Sequence, residues 1–299
     1  MTVAPAPPRP SAPTGASRAG ASGAGAPDLL GLLRSRRTAR PPVDPGLAGG
    51  LRAWLEDGAA SPVLVGRNPL ASGARRAGAE RRDRVGTPGA PLVVLDGVRA
   101  ARAAAGRGAS VADLRASLVT TAFRLVVTGC ALDQPFEDAL CAISVTARGP
   151  ETLDALGRLP ARERSALRSF VQERAAAIAA QWRPVPPAWL PRTGEQIRVP
   201  LAGGAVMLSA AADLVLGRPS DKTSSVCLVR LHEKRSGDAT EAARRTRRAL
   251  ALVETLRSGA PPWRVATYDP GARHLLVEDV DEELIAAAVH DVLRAMEDR

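Results

Sequence analysis

The residues best suited to chemistry stand where an apolar strand runs into charge, in "LVRLHEKRSG" at 228–237. Strand side chains alternate between faces, so Cys227, Val229 and Leu231 share one face, which Glu233 and Arg235 continue. Val226, Leu228, Arg230, His232 and Lys234 take the other. An acid and a cation two residues apart on one face suit a phosphodiester: the carboxylate holds a divalent metal, and the cation offsets charge in the transition state. Such a metal needs a second acid. Asp213 interrupts the apolar run "AVMLSAAADLVLG", where an unpaired carboxylate is costly to bury. If the strands over 205–216 and 224–235 are neighbours, Asp213 lies beside Glu233. A plainer reading of the same residues is a set of strand-end ion pairs, with Asp213 pairing with Arg218 or capping a turn.

The elements that must position these groups are legible from periodicity. "TGEQIRVPLAGGAVMLSAAADLVLG" reads as a hairpin with Gly203 and Gly204 in its turn. The strand 224–235 follows, then a basic helix over 239–257, strands at 263–269 and 273–280, and a helix over 282–298 behind Asp281 as cap. Upstream, helical spacing predicts helices over 110–130 (Ser110 as cap), 133–147 and 161–182. The last carries an apolar stripe at Leu167, Phe170, Val171, Ile178 and Trp182. Two short helices are expected over 28–57, with Asp44 ahead of Pro45, and short strands at 61–66 and 91–97. The expected class is α/β: a mixed sheet flanked by helices, preceded by a helical N-terminal region. The division is a tail over 1–27, a helical region over 28–157 with a basic loop at 67–90, and a core over 158–299. Pro, Ala, Gly and Ser fill the tail, which buries too little apolar surface to order itself.

The hairpin, "AADLVLGRP", the charged strand end with "EKRSG", the helix ending "ALVETLRSGAPP" and "WRVATY" together resemble the PD-(D/E)XK phosphodiesterase superfamily. The likeness is to its RecB-like exonuclease branch and actinobacterial relatives. It covers about residues 160–295, and less specifically "LRAWLEDG" and "ASLVTTAFRLVVTG" upstream. It implies a restriction-endonuclease-like core and hydrolysis of DNA with Mg²⁺ or Mn²⁺. Asp213 and Glu233 then hold the metal, with Glu173 on the 161–182 helix as a third acid. Lys234 or Arg235 stabilises the pentacovalent phosphate. The chain departs from the pattern at acid-x-Lys, where it reads Glu233-Lys234-Arg235. Arg keeps the charge but not the compact, titratable amine of Lys. The helix that follows also lacks the family's Gln or Tyr. Both departures point to a weakened or lost nuclease. The alternative is an inactive module on the same fold that binds nucleic acid or a partner protein in a DNA-processing complex.

Composition agrees with an anionic partner without requiring one. The formal charge is +10 over 299 residues, but of the 41 basic residues only Lys222 and Lys234 are lysines, a bias that also follows from genome composition. Arg244, Arg245, Arg247 and Arg248 put four guanidiniums in five residues of one helix, suited to gripping the backbone of DNA, single strands included. The same residues equally describe a solvated outer face. Stacking platforms are few: only Trp263 and Tyr268 lie in this region, and Trp263 is expected in the core. Cys130, Cys141 and Cys227 sit in apolar contexts and are expected as buried, reduced thiols. The three histidines form no ligand pattern. No apolar run approaches the ~18 residues of a membrane span, and no secretory h-region is visible, so a cytoplasmic protein is expected.

Overall fold

A computed structural model describes residues 29–34, 44–60, 93–96, 110–147, 149–204, 206–219, 223–232 and 239–297. The tail, the expected strand at 61–66, the basic loop at 67–90 and the charged run Glu233, Lys234, Arg235 lie outside the described residues.

In chain order the helices and strands are α1 (Leu29–Arg34), α2 (Pro45–Ala60), β1 (Val93–Asp96), α3 (Val111–Val127), α4 (Pro135–Ser144), α5 (Gly149–Gly157) and α6 (Ala161–Gln181). Then come β2 (Arg192–Leu201), β3 (Val206–Leu216), β4 (Cys227–Leu231), α7 (Ala239–Ser258), β5 (Arg264–Asp269), β6 (His274–Asp279) and α8 (Glu282–Glu297). Local chemistry sets several boundaries. Ser110 and Asp113 form a reciprocal capping box at the start of α3. The Asp281 carboxylate accepts from the N–H of Leu284 at 2.8 Å, opening α8. Asp44 accepts from the N–H of Gly46 ahead of α2.

The strands form one mixed sheet in the order β1-β3-β4-β5-β6, with β2 also paired to β3. β2 and β3 are the expected antiparallel hairpin, in register from Arg192 opposite Val215 to Leu201 opposite Val206. β3 runs antiparallel to β4 over only three pairs, Leu214–Val229 to Leu216–Cys227. Farther up, β3 pairs instead with β1, in parallel, over Val206 to Ser209. β3 therefore exchanges one neighbour for another partway along, and β4 diverges from it beyond Leu214. β4 and β5 are parallel, joined by the α7 crossover, and β6 closes that edge antiparallel.

Helices cover both faces. One apolar cluster joins Leu118, Phe123 and Ile143 of α3 and α4 to Leu167 and Ile178 of α6 and to Leu214, Val229 and Tyr268 of the sheet. The helices on either side of position 158 thus share one core. The second cluster packs Leu250, Val253, Leu284 and Val289 of α7 and α8, with Leu51 of α2, on Ile197, Leu208, Val215 and Leu228. The faces assigned to Cys227 and Val229 against Val226 and Leu228 are those observed.

Three expectations need correction. The strand expected to continue to 235 ends at Leu231, with His232 already outside it. Cys130 and Cys141 are exposed, and only Cys227 is buried: the first follows the C-terminus of α3, and the second sits on the outer side of α4. Helix α5 had no counterpart in the reading, because "GPETLDALG" opens on Gly-Pro and is short. Among the described residues, no helix is long and apolar enough to cross a membrane.

Candidate functional site

The apolar phase of β3 slips at Asp213. Leu208, Ala210 and Ala212 face α7 and α8, yet Leu214 and Leu216 face α3 and α6. The break coincides with Gly194, between Thr193 and Glu195 on β2, whose φ is +68°. It also coincides with the fork where β4 leaves β3. A carboxylate at this point can reach backbone that the ladder has released.

Asp213 does so. It is fully buried, and its Oδ2 accepts from the N–H of Leu231 at 2.8 Å, two residues past the last ladder pair. The nearest side chain on the neighbouring strand is Arg230, whose Nη1 lies 3.1 Å from both carboxylate oxygens. A second guanidinium comes from α3: Arg124 Nη2 donates to Oδ1 at 3.0 Å across a separation of 89 residues. The two arginines keep about a third of their side-chain surface in solvent, at 36% and 30%, while Asp213 keeps none. A cationic rim therefore surrounds a buried anionic centre. The backbone of β2 makes room for it. A Cβ built at Gly194 would meet the Arg124 guanidinium at 2.9 Å, inside any real contact, and the positive φ disfavours other residues independently.

Extending Leu214–Val229 by one residue sets Asp213 opposite Arg230, while Glu233 lies outside the described residues. Asp213 meets neither Arg218 nor a turn. Glu173 is exposed on α6 and pairs with the adjacent Arg174 at 2.9 Å. No group of three or more potential metal ligands occurs among the described residues. The donor chemistry at Asp213 does not fit Mg²⁺ or Mn²⁺, since guanidinium and amide N–H groups, not oxygen ligands, occupy both of its oxygens.

The basic helix divides. Arg247 turns inward: its Nε donates to Glu278 at 2.7 Å and its Nη1 to Thr267 at 2.9 Å, tying α7 to β5 and β6. It is 8% exposed, with Nε and Nη1 both engaged inside the fold. Arg248 pairs with Asp291 of α8 at 3.1 Å. Arg244 and Arg245 are exposed and share Glu241. Trp263 and Tyr268 are both buried, so neither can stack on a base. Tyr268 donates its hydroxyl to Gln181 at 2.8 Å, and burial pushes its phenol up to about 12.

Two residues that matter were absent from the sequence reading. Arg124 lies within a helix read for its apolar stripe, and nothing local marks it as a partner of Asp213. Gly194 has a signal, a glycine inside a strand pattern, which suggests a close backbone approach. The chain matches no protein-family model and no curated protein.

Proposed function

We propose that this chain is a restriction-endonuclease-like scaffold of the PD-(D/E)XK kind whose work is binding nucleic acid, with the metal position given over to an ion-pair cluster. Two features support the scaffold: the order helix, hairpin, third strand, helix, strand over α6 to β5, and Asp213 on the second hairpin strand at the point where the next strand diverges. The observation that carries the loss of chemistry is the set of donors on Asp213: two guanidiniums and the Leu231 N–H. Replacing them with a divalent ion means stripping a buried carboxylate of every partner while leaving two cations beside the metal, which is electrostatically unfavourable on both counts. The formal charge of +10 supports an anionic partner.

The competing reading is hydrolysis of DNA with Mg²⁺ or Mn²⁺ through Asp213, Glu233 and Lys234 or Arg235. It requires both guanidiniums to leave Asp213. The two separate by assay. Purified protein incubated with labelled linear and single-stranded DNA is expected to bind in a salt-dependent manner and to leave the strands intact with either metal. Cleavage that Asp213→Ala abolishes would establish the nuclease instead, and absence of binding at low salt would remove the nucleic-acid reading altogether.

A further inference from the structure

We infer that the anion-binding surface is a strip on the α3-facing side of the β2–β3 hairpin, with Arg124 and Arg198 holding the phosphates of a nucleic-acid backbone. This inference rests on the proposed function and locates it. Ile197 and Val199 of β2 point into the cluster beneath α7 and α8. By strand alternation Gly194, Gln196 and Arg198 point to the opposite side, and all three are exposed. Arg124 comes down on that side from α3, its guanidinium lying against Gly194. Gln196 donates to Ser209 of β3 across the same surface. Arg198 forms an ion pair with none of the described acids.

Among the described side chains of this strip, two guanidiniums stand against the carboxylate of Asp213, which is buried while Arg124 is not. Asp213 thus fixes Arg124 without burying it. Arg198 is exposed and Arg124 partly so, and each carries the planar fork that suits phosphate oxygens. Gly194 and Arg198 are four residues apart, or about 13 Å along a strand at ~3.3 Å per residue. The strip is therefore long enough for more than one phosphate of an extended strand. No aromatic platform stands nearby among the described residues, so recognition is of backbone rather than bases, and sequence preference should be weak. The four-arginine run of α7 is a poorer candidate, because Arg247 is turned inward and Glu241 and Asp291 draw on the other three.

The test is fluorescence anisotropy of the full chain with a labelled mixed-sequence single strand, titrated over a range of salt. Arg198→Gln touches no described ion pair and should leave folding intact. It is expected to weaken binding by roughly 3- to 10-fold and to lower the salt slope by about one. Arg124→Lys keeps the charge but loses the fork, and is expected to weaken binding to a smaller degree. Arg244→Gln is expected to leave affinity unchanged. Unlabelled DNA should compete, and inorganic phosphate at equal charge should not. Normal affinity in both Arg198→Gln and Arg124→Lys, with wild-type binding present, overturns the strip and leaves the proposed function standing. Competition by inorganic phosphate at equal charge makes this a small-anion site and overturns it too. No binding by the wild type at low salt removes both.

Discussion

Two buried acids, Asp213 and Glu254, meet burial in opposite ways. Both are essentially solvent-free, at 0% and 1% exposure. Asp213 gathers three donor groups from a neighbouring strand and a distant helix, so each oxygen has two hydrogen bonds. Among the described residues Glu254, near the end of α7, has only Arg257, one turn on, 2.7 Å away, and that arginine also serves Glu195 of β2 at 3.3 Å. Burial pushes the Glu254 carboxyl above its ordinary range, only partly offset by Arg257, and the nearby charge of Glu195 adds to the push. The donors, not the depth, decide whether a buried carboxylate is settled. Asp213 is part of a built site. Glu254 is a residual cost of packing α7 on the hairpin.

Removing the better-served acid should do the most damage. Asp213→Ala leaves two half-buried guanidiniums and the Leu231 N–H without their acceptor. A loss of about 3 kcal/mol is expected, at the lower end for a broken buried pair because both arginines touch solvent. Chemical denaturation measures it, and a loss under ~0.5 kcal/mol would show that the cluster carries little. Next in size is Gly194→Ala, where a positive φ and the crowded guanidinium act together; it should cost about 1–2 kcal/mol. If thermal unfolding shows no change, Arg124 is not pressed against this backbone.

On the other side of the comparison, Glu254→Gln should stabilise the protein at neutral pH. Its wild-type carboxyl has a folded-state pKa above the unfolded one, so the folded state takes up the proton first. The advantage of the variant should be full above the raised pKa and shrink as pH falls through it toward the ordinary value of 4.5. Denaturation at several pH values reads this directly, and a variant less stable than wild type at pH 7 would mean that the Arg257 contact outweighs burial. The smallest contrast lies within α7. Arg247→Ala should destabilise by about 1–2 kcal/mol through lost contacts with Glu278 and Thr267, while Arg244→Ala should change stability by no more than ~0.5 kcal/mol. Equal effects would contradict the inward turn of Arg247.

The sequence exposes what is local in the molecule. The hairpin at Gly203-Gly204, the caps at Ser110 and Asp281, and the helices α3, α6, α7 and α8 follow from spacing and end signals within a few residues. Asp213 stands out because a carboxylate inside an apolar strand needs a reason. Which partner answers it depends on register, and register is set where β3 trades β4 for β1, far from any turn signal. Placing Glu233 beside Asp213 assumes two long strands that stay paired. The described pairing of β3 with β4 covers three residue pairs and brings Arg230 alongside Asp213, while Glu233 lies outside the described residues. Arg124 was beyond reach, since only the packing of α3 against the sheet brings it to Asp213. The inward turn of Arg247 is tertiary in the same sense: a run of arginines looks alike on either face of a helix until the helix is docked.

The most direct measurement is a single experiment on DNA with purified protein, comparing EDTA with Mn²⁺. The account predicts salt-dependent binding of similar strength in both and no shortening of the labelled strand. Manganese-dependent cleavage that disappears in Asp213→Ala would contradict it, because Asp213 would then be a metal ligand and not the anchor of two arginines.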